Sequence, residues 1–448
     1  MNLEPPPDYR LLLADNERLH RIYREPHKYD FLTKSYYPFR KLKHVAREAG
    51  VDPEDAWVLA KLGRTKNFLT LFPAEDRATP FWWHPGNHLL EPLHRIDRAV
   101  GGGGPASFEP ERGVLASEEH RQRLRIRTLM DEAAESSLIE GAATTRREAV
   151  NLLRENRAPR TRGERMIVNN YVAMEQIKRW LDRPLTPEML LELQTILTKD
   201  TLDNPADVGR WRRPGENVRV VDERSADVIY TPPDAADLAA RINALCAFAN
   251  ATHAGERFIH PVIKASILHF MIGYEHPFPD GNGRTARAVF YWYALRAGYS
   301  LFEYIPISER IRAGYARYPQ AYIDTELDEG DLTYFILYKL DIIEQSLDRF
   351  SSRLAHEEEK VRRSERLLRL ARNLNLRQRL LLEHALRHPR TLYTRQSHAR
   401  SNGIALSTAI SDLDDLVRKR LLIRGKRGKQ MTYNVVPDLR ARLERRRP

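Results

Sequence analysis

The sequence predicts a mainly α-helical protein that contains one small β-hairpin and ends in a winged helix-turn-helix. Three observations support this fold class. Helical periodicity dominates the 448 residues. Two short β-like runs, VRVV and DVIY, lie close together between helical segments. Residues 371–448 show three helical patterns followed by two β-like runs around a basic turn, which is the order of a winged helix.

The length exceeds what one ordinary hydrophobic core supports, so more than one domain is expected. The run GGGGP near residue 101 resembles a phosphate-binding loop only weakly, because the lysine and hydroxyl residue of such a loop do not follow it, and a flexible linker is favoured. The predicted segments are an N-terminal helical region at 1–100, a linker at 101–112, a central helical domain at 113–350, a helical connector at 351–370 and the winged helix-turn-helix at 371–448.

The composition is that of a soluble globular protein, with 42% hydrophobic and 30% charged residues. No stretch reaches about 18 consecutive apolar residues, so no membrane span is expected. The first ten residues, MNLEPPPDYR, do not have the pattern of a signal peptide. Cys246 is the only cysteine, which excludes an internal disulfide and a cysteine-built metal site, and we expect it to be inert core. These features predict a reducing, cytoplasmic location.

Positive charge is concentrated at the C-terminal end. Residues 351–448 contain 25 Lys and Arg against 10 Asp and Glu, a balance of +15 within a total of +12. This asymmetry favours an anionic partner for the tail, and a solvated arginine-rich surface is the alternative.

Capping residues mark the helices of the central domain. The start and stop signals, in chain order, are a cap at Ser117 and a glycine end at Gly141 for one long helix, Thr186 with Pro187 for a second, Pro261 for a third and Gly298 at the end of a fourth. The β-like runs VRVV and DVIY fall between the second and third of these helices, which predicts a hairpin there.

The stretch EHPFPDGNGRTARA, residues 275–288, joins the third and fourth of these helices. Gly281, Asn282 and Gly283 allow the backbone to curl at the N-terminus of the fourth helix, where unpaired amides and the helix dipole favour an anion. Arg284 and Arg287 lie at i and i+3 in the first turn, where the dipole opposes cations. A di- or triphosphate would offset that cost, since the planar guanidinium suits it.

Two further side chains complete a reactive constellation in this stretch. Asp280 would repel a phosphate unless Mg²⁺ lay between them, in which case it would bridge the two. His276 ends the preceding helix and has a pKa suited to accepting a proton from a hydroxyl. Base, metal ligand, anion cradle and phosphate clamp together predict a nucleotide-phosphate transfer site.

The run His276-Pro277-Phe278-Pro279-Asp280-Gly281-Asn282-Gly283-Arg284, with Arg287, resembles the full signature of the Fic family, HPFx[DE]GNGRxxR. The resemblance covers about residues 113–345 and implies a Fic-type helical core. It also implies a protein adenylyltransferase that transfers AMP from ATP to a Ser, Thr or Tyr hydroxyl of a target protein or of itself, releasing diphosphate.

The resemblance further implies a role for each residue of the signature. His276 would be the base, Asp280 would hold Mg²⁺ on the α- and β-phosphates, Gly281–Gly283 and Arg284 would cradle them, and Arg287 would bind the γ-phosphate. Phe278 would be a buried anchor. An intact signature favours AMP over phosphate or phosphocholine as the group transferred.

Features outside the signature are also similar to the family. The VRVV/DVIY hairpin occupies the position of the family's flap, which holds the target segment by strand-like pairing. Tyr318 lies where relatives often place an aromatic pair at the adenine.

Gln194 departs from the family, because it replaces a frequent histidine, and we expect this change to be peripheral. His260 and His269 are expected to have capping or core roles.

SSLIEG, residues 136–141, is similar to the family's inhibitory pattern [ST]xxxE[GN]. On a helix, Ser136 and Glu140 share one face at i, i+4, and Gly141 ends the pattern. The resemblance implies that Glu140 would compete with the triphosphate for Arg287, so the enzyme would be inhibited by a segment near 117–141 of its own chain.

The tail offers a candidate DNA-binding surface whose cations are Arg418, Lys419, Arg420, Arg424, Lys426, Arg427 and Lys429. Asp412, Asp414 and Asp415 of the third tail helix weaken this interpretation, because they would repel phosphates if they faced the groove. Winged helices also dimerise or dock proteins, so a homodimer is an open alternative.

Two other functions remain open at this point. The same pocket could remove AMP from a modified protein if Glu140 positioned a water molecule. Alternatively, the chain could be a DNA-binding regulator whose Fic-like half senses nucleotide, although a pure sensor would not need His276.

Overall fold

The computed structural model describes residues 4–64, 66–68, 80–100, 118–216, 218–221, 228–255, 258–368, 374–387, 391–427 and 430–444. The predicted linker at 101–112, the cap at Ser117 and the tail residue Lys429 lie outside these ranges. Among the described residues, no helix has the length and apolar content needed to cross a bilayer.

Helices dominate the described residues, as predicted. In chain order they are α1 (Tyr9–Leu12), α2 (Asn16–Arg24), α3 (Phe39–Glu48), α4 (Pro53–Leu62), α5 (Asn87–Val100), α6 (Glu118–Ile139), α7 (Arg146–Glu155), α8 (Arg162–Arg179), α9 (Pro187–Thr198), α10 (Leu238–Asn250), α11 (Pro261–Glu275), α12 (Asn282–Arg296), α13 (Ser308–Ala313), α14 (Arg317–Leu327), α15 (Thr333–Leu368), α16 (Leu376–Arg387), α17 (Arg395–Asn402), α18 (Leu406–Arg418) and α19 (Leu439–Glu444).

The strands are short and form three small antiparallel sheets within the described ranges. They are β1 (Asn67–Phe68), β2 (Trp82–Trp83), β3 (Val220–Val221), β4 (Val228–Tyr230), β5 (Tyr393–Thr394), β6 (Leu422–Arg427) and β7 (Gln430–Val435). β3 pairs with β4 through Val220–Tyr230 and Val221–Val228, which confirms the predicted hairpin. The pair β1–β2 was not predicted, because each strand has only two residues and therefore no readable period.

The described chain forms two compact units. The first comprises Met1–Asp97, Gln176–Ser300 and Arg310–Gln345, and the second comprises Arg98–Glu175, Leu301–Glu309 and Ser346–Pro448. Both are built from segments that are distant in sequence, whereas the predicted domains are continuous. The predicted boundaries therefore stay an interpretation of composition.

The core of the first unit surrounds α11, which packs against α10 and α12, while α9 packs against the same two helices. Nearly every side chain of α11 is buried, as expected of a helix that is apolar on all sides. His260 caps its N-terminus, with Nδ1 accepting a hydrogen bond from the amide of Val262 at 3.2 Å, and Pro261 occupies the first turn. This rigid element carries the stretch 275–288 at its C-terminal end.

The N-terminal helices of the first unit have their own apolar core, which includes Leu42, Ala46 and Trp57. The backbone of Trp82 pairs with the segment before α15, accepting from the amide of Leu332 at 2.8 Å. Lys61 and Arg64 form buried ion pairs with Asp328, at 2.5 and 2.8 Å.

In the second unit, residues 374–444 form α16, α17 and α18 and a sheet with strand order β5–β7–β6 around a shared apolar core. The sequence of helices followed by a hairpin is the one predicted, and its interpretation as a winged helix-turn-helix stays a prediction. α18 begins at Leu406 with Ala405 at the N-cap. The expected connector at 351–370 continues α15, which runs unbroken to Leu368 because no Gly or Pro interrupts the pattern.

Candidate active site

The candidate site lies where α11 ends and α12 begins. His276 caps α11 in the left-handed conformation, with φ 46° and ψ 54°, and its amide donates to the carbonyl of Ile272 at 3.0 Å. This conformation is uncommon for a residue with a side chain. The imidazole Nδ1 lies 3.3 Å from the carbonyl oxygen of Gly273. A carbonyl can only accept, so Nδ1 carries the hydrogen and Nε2 carries the lone pair of a base.

The loop after His276 is held by its own side chains. Asn282 accepts from the amide of Phe278 at 2.9 Å and donates to the carbonyl of the same residue at 2.8 Å. The ring of Phe278 is fully buried and stacks on Trp211, with centroids 5.0 Å apart. Phe278 is therefore an anchor, as expected, and the side chain of Asn282 shapes the loop.

The N-terminus of α12 has the geometry of an anion cradle. Gly281 precedes the helix with φ +90°, and a Cβ at this position would approach Cγ2 of Thr198 to 3.0 Å. Only glycine suits this combination of a left-handed backbone and a close neighbour. The amides of the first turn point out of the helix end, where the dipole also favours negative charge.

Arg284 and Asp280 form a pair beside this cradle. The buried guanidinium of Arg284 donates through Nη1 to the carbonyl of Leu197 at 2.8 Å, and Nη2 lies 3.3 Å from Oδ1 of Asp280. The same Oδ1 accepts a hydrogen bond from the amide of Gly281. The carboxylate of Asp280 is 41% exposed. One of its oxygens is thus fixed by protein donors while the group remains accessible from solvent.

Arg287 follows one turn later on α12 and is buried. Its positive charge acts on His269 of α11, which is fully buried. Burial, the ammonium of Lys339 and the guanidinium of Arg287 together hold the pKa of His269 well below its ordinary value. His269 is therefore neutral, and a role in the core is consistent with its place.

Tyr318 of α14 is half-buried against His269. Its hydroxyl lies 2.7 Å from Nε2 of His269, and its ring contacts those of Tyr322 and Tyr338, with centroids 5.5 and 6.0 Å away. The predicted aromatic position is thus part of a cluster of rings in the first unit.

Gln194, which we expected to be peripheral, instead contacts the signature loop. Its buried side chain accepts from the amide of Gly209 at 2.6 Å and donates to the carbonyl oxygens of Asp280 at 3.2 Å and Asp207 at 3.4 Å. The expectation was wrong because a polar residue in an apolar helix does not reveal which distant backbone atoms it bonds. Arg212 was likewise not predicted as a residue of the site, although its Nε donates to the carbonyl of His276 at 3.0 Å.

The predicted hairpin joins the site at its base. The hydroxyl of Tyr230, the last residue of β4, donates to the carbonyl of Tyr274 at 2.8 Å, and the two rings lie 5.4 Å apart. One end of the hairpin is therefore fixed next to His276.

The predicted inhibitory residues lie at the end of α6 in the second unit. Ser136 is buried on the helix, and α6 ends at Ile139, so Glu140 and Gly141 fall in the following turn. The amide of Glu140 bonds to the carbonyl of Ser137 at 3.2 Å, a tighter i−3 contact. Gly141 has φ +80°, which confirms a glycine helix end. Glu140 is half-buried.

The acids of α18 are bonded within the second unit. Asp412 is buried and accepts from Asn375 at 2.6 Å and Arg377 at 2.7 Å, and His398 Nε2 lies 3.2 Å away. Burial acts to raise the pKa of Asp412, but these hydrogen bonds and the charge of Arg377 hold it well below the ordinary value. Asp414 contacts Arg424, and Asp415 contacts Lys419.

Comparison with known proteins supports the resemblance. Residues 184–294 match the family model described as Fic/DOC family. The chain is 32% identical over 130 residues to "Protein adenylyltransferase Fic" of Aedes aegypti, covering 28% of this chain and 24% of the relative. It is 30% identical over 131 residues to the protein of the same name from Drosophila ananassae, covering 29% of this chain and 24% of the relative.

The matched region thus spans about a quarter of the length of these curated relatives. A solved Fic family protein from Desulfovibrio desulfuricans G20 is 17% identical with a TM-score of 0.49, covering 79% of this chain and 98% of that chain.

Proposed function

We propose that this chain, whose residues 184–294 match the Fic/DOC family model, is a protein adenylyltransferase that moves AMP from ATP to a Ser, Thr or Tyr hydroxyl of a target protein or of itself. The observation that carries the proposal is the state of His276. Its Nδ1 bond to Gly273 leaves Nε2 as the basic nitrogen, directly before an anion-favouring helix end. The curated relatives that share this region are named protein adenylyltransferases.

The chain's own residues supply a complete transfer step. Nε2 of His276 accepts the proton of the target hydroxyl while the oxygen of that hydroxyl bonds to the α-phosphorus of ATP. The bond from that phosphorus to the bridging oxygen breaks, and diphosphate leaves with the bonding electrons. The first-turn amides of α12, with Arg284 and Arg287, offset the negative charge that accumulates on the phosphates. Tyr318 would contact the adenine.

The donors around Asp280 fit a magnesium ion that accompanies ATP. Mg²⁺ prefers one or two carboxylates together with phosphate oxygens over an all-protein cage. Asp280 provides one accessible carboxylate, already oriented by Gly281 and Arg284. When bound, the ion would neutralise phosphate charge, and Asp280 would hold it.

We further propose that Glu140 restrains the enzyme by competing with ATP phosphates for Arg287. The support is the complete pattern from Ser136 to Gly141 and the position of Glu140 at a helix end. Glu140→Gly should raise AMP transfer at least tenfold, with Glu155→Gly as a matched control on another helix end. An unchanged rate would contradict the proposed restraint by Glu140. Loss of AMP removal from a modified protein in the same variant would instead favour hydrolysis of AMP-modified protein by a water molecule that Glu140 positions.

The second candidate function is DNA binding by residues 371–448. One observation favours it: Asp412 is buried among Asn375, Arg377 and His398, so this acid would not repel a bound phosphate. Affinity for duplex DNA that falls with salt would support this function. No affinity, with a concentration-dependent dimer instead, would favour the homodimer.

The reaction class is tested with ATP labelled at either the α- or the γ-phosphate. Purified chain, Mg²⁺ and a lysate of the source cells should incorporate α-label into protein. Incorporation of γ-label alone would make the chain a kinase and would contradict the proposal.

A further inference from the structure

Six successive carbonyl oxygens, three in the last turn of α11 and three just after it, each accept a hydrogen bond. A helix end leaves its last carbonyls without helical partners, so their partners determine where the chain goes next. The pairs are Gly273 with Nδ1 of His276 (3.3 Å), Tyr274 with the hydroxyl of Tyr230 (2.8 Å), Glu275 with Nη2 of Arg212 (3.2 Å), His276 with Nε of Arg212 (3.0 Å), Pro277 with the amide of Arg212 (2.9 Å) and Phe278 with Nδ2 of Asn282 (2.8 Å).

Arg212 accounts for three of these six bonds. Its backbone and guanidinium contact the carbonyls of Glu275, His276 and Pro277, which lie on both sides of the His276 side chain. Nη2 also donates to the carbonyl of Pro233, three residues after the end of β4. One residue therefore joins the base of the hairpin to the peptide planes that flank the proposed base.

Arg212 is only 6% exposed, yet among the described residues its guanidinium hydrogen-bonds carbonyl oxygens and no carboxylate. The acid whose charge acts most strongly on Arg212 is Glu275. Its carboxylate is bound by Arg241, whose Nε and Nη2 lie 2.6 and 2.9 Å from its two oxygens. Burial accordingly lowers the pKa of Arg212 from its ordinary value, with the charge of Glu275 opposing that change. Burying a cation whose hydrogen bonds, within the described part of the chain, go to carbonyl oxygens alone is costly, so these bonds need a functional explanation.

The direction of the His276 side chain depends on these bonds. A residue at φ 46° has no neighbouring helical bonds to hold its carbonyl, and a shift of about 1 Å at a reacting group can cost roughly 10²-fold in rate. We propose that Arg212 is a positioning residue that fixes the peptide planes around His276 and ties them to the base of the hairpin. These bonds thereby hold the proton acceptor, His276, at a fixed position relative to a target segment bound by the hairpin. This inference rests on the proposed adenylyltransferase function.

The kinetic test compares Arg212→Ala, Arg212→Lys and, as a matched control, Arg213→Ala in the full chain. Arg213 is the adjacent, exposed cation. We expect kcat to fall about 10²-fold in Arg212→Ala while KM for ATP changes less than threefold, because the phosphate cradle belongs to α12. Arg212→Lys should recover part of kcat, since an ammonium can donate to one or two of the carbonyls. Arg213→Ala should match the parent.

A second readout does not require activity. With ¹⁵N-labelled histidine, the imidazole signals of His276, assigned from His276→Ala, should show one tautomer in the parent chain and a mixture in Arg212→Ala. If the parent transferred no AMP, the proposed function would fail while this spectrum would still test Arg212. Unchanged signals in a folded Arg212→Ala would overturn the inference. Equal kcat losses in the Ala and Lys variants that track lost thermal stability would also overturn it, because they indicate a purely structural role.

Discussion

The hydroxyl of Tyr318 lies 2.7 Å from Nε2 of His269, and Nδ1 of the same imidazole lies 3.3 Å from the ammonium of Lys339. An ammonium can only donate, so Nδ1 accepts and Nε2 donates its hydrogen to Tyr318. The neutral imidazole thus links Lys339 of α15 to Tyr318, the aromatic side chain proposed to contact the adenine. His269 differs in this respect from His276, whose Nδ1 carries the hydrogen.

His269 should make stability depend on pH. Its pKa is depressed in the folded state by burial, Lys339 and Arg287, while an unfolded histidine titrates near 6.5. The unfolded state therefore binds the extra proton as the pH falls through 6.5, and stability is lost below that value. Relative to His269→Gln, which does not titrate, the wild type should lose about 1.4 kcal/mol of unfolding free energy between pH 7.5 and 5.5. Urea unfolding at both pH values measures this difference, and parallel pH dependences would contradict it.

The anchor role of Phe278 predicts a large loss of stability on truncation. Its ring is fully buried against Trp211, so Phe278→Ala removes buried area and leaves a cavity that costs about 3–5 kcal/mol. Phe258→Ala is the matched control, since that ring is 59% exposed and should cost no more than about 0.5 kcal/mol. Denaturant unfolding compares the two, and equal losses would show that the stack does not anchor the loop.

Gly281 is required for two reasons that substitution can separate. Gly281→Ala combines a left-handed backbone with a Cβ 3.0 Å from Thr198, at the cradle itself, and AMP transfer should fall at least tenfold. Gly50→Ala has φ +71° with no atom within 4 Å of the new Cβ, so it should cost about 1–2 kcal/mol of backbone strain and leave transfer unchanged. Transfer rates and unfolding are measured on both variants. Full transfer by Gly281→Ala would show that the tight approach at the cradle is not needed.

The sequence was sufficient for the features that have a local cause. The cap of α9 at Thr186 and the glycine end at Gly141 follow from residue type and spacing alone, whereas the buried position of Phe278 was implied by the resemblance to the Fic signature. The hairpin β3–β4 was also readable, because β-branched residues cluster on each side of a polar turn.

The contacts that orient the site could not be read in the same way. Gln194 and Arg212 lie 86 and 64 residues before the loop carbonyls that they bind. Their partners are backbone atoms, which have no residue-type signature. The connector at 351–370 was predicted to be helical, and α15 runs through residue 350 to Leu368 because helical propensity continues across the change of composition that was interpreted as a boundary.

The most direct test of the central claim is the initial rate of α-label transfer from ATP in Glu140→Gly, with and without His276→Ala. The proposed base predicts that the double variant falls about 10²–10⁴-fold, to background, while still binding ATP. Equal transfer by the two variants would show that Nε2 of His276 does not accept the target's proton, and the proposed mechanism would then be wrong.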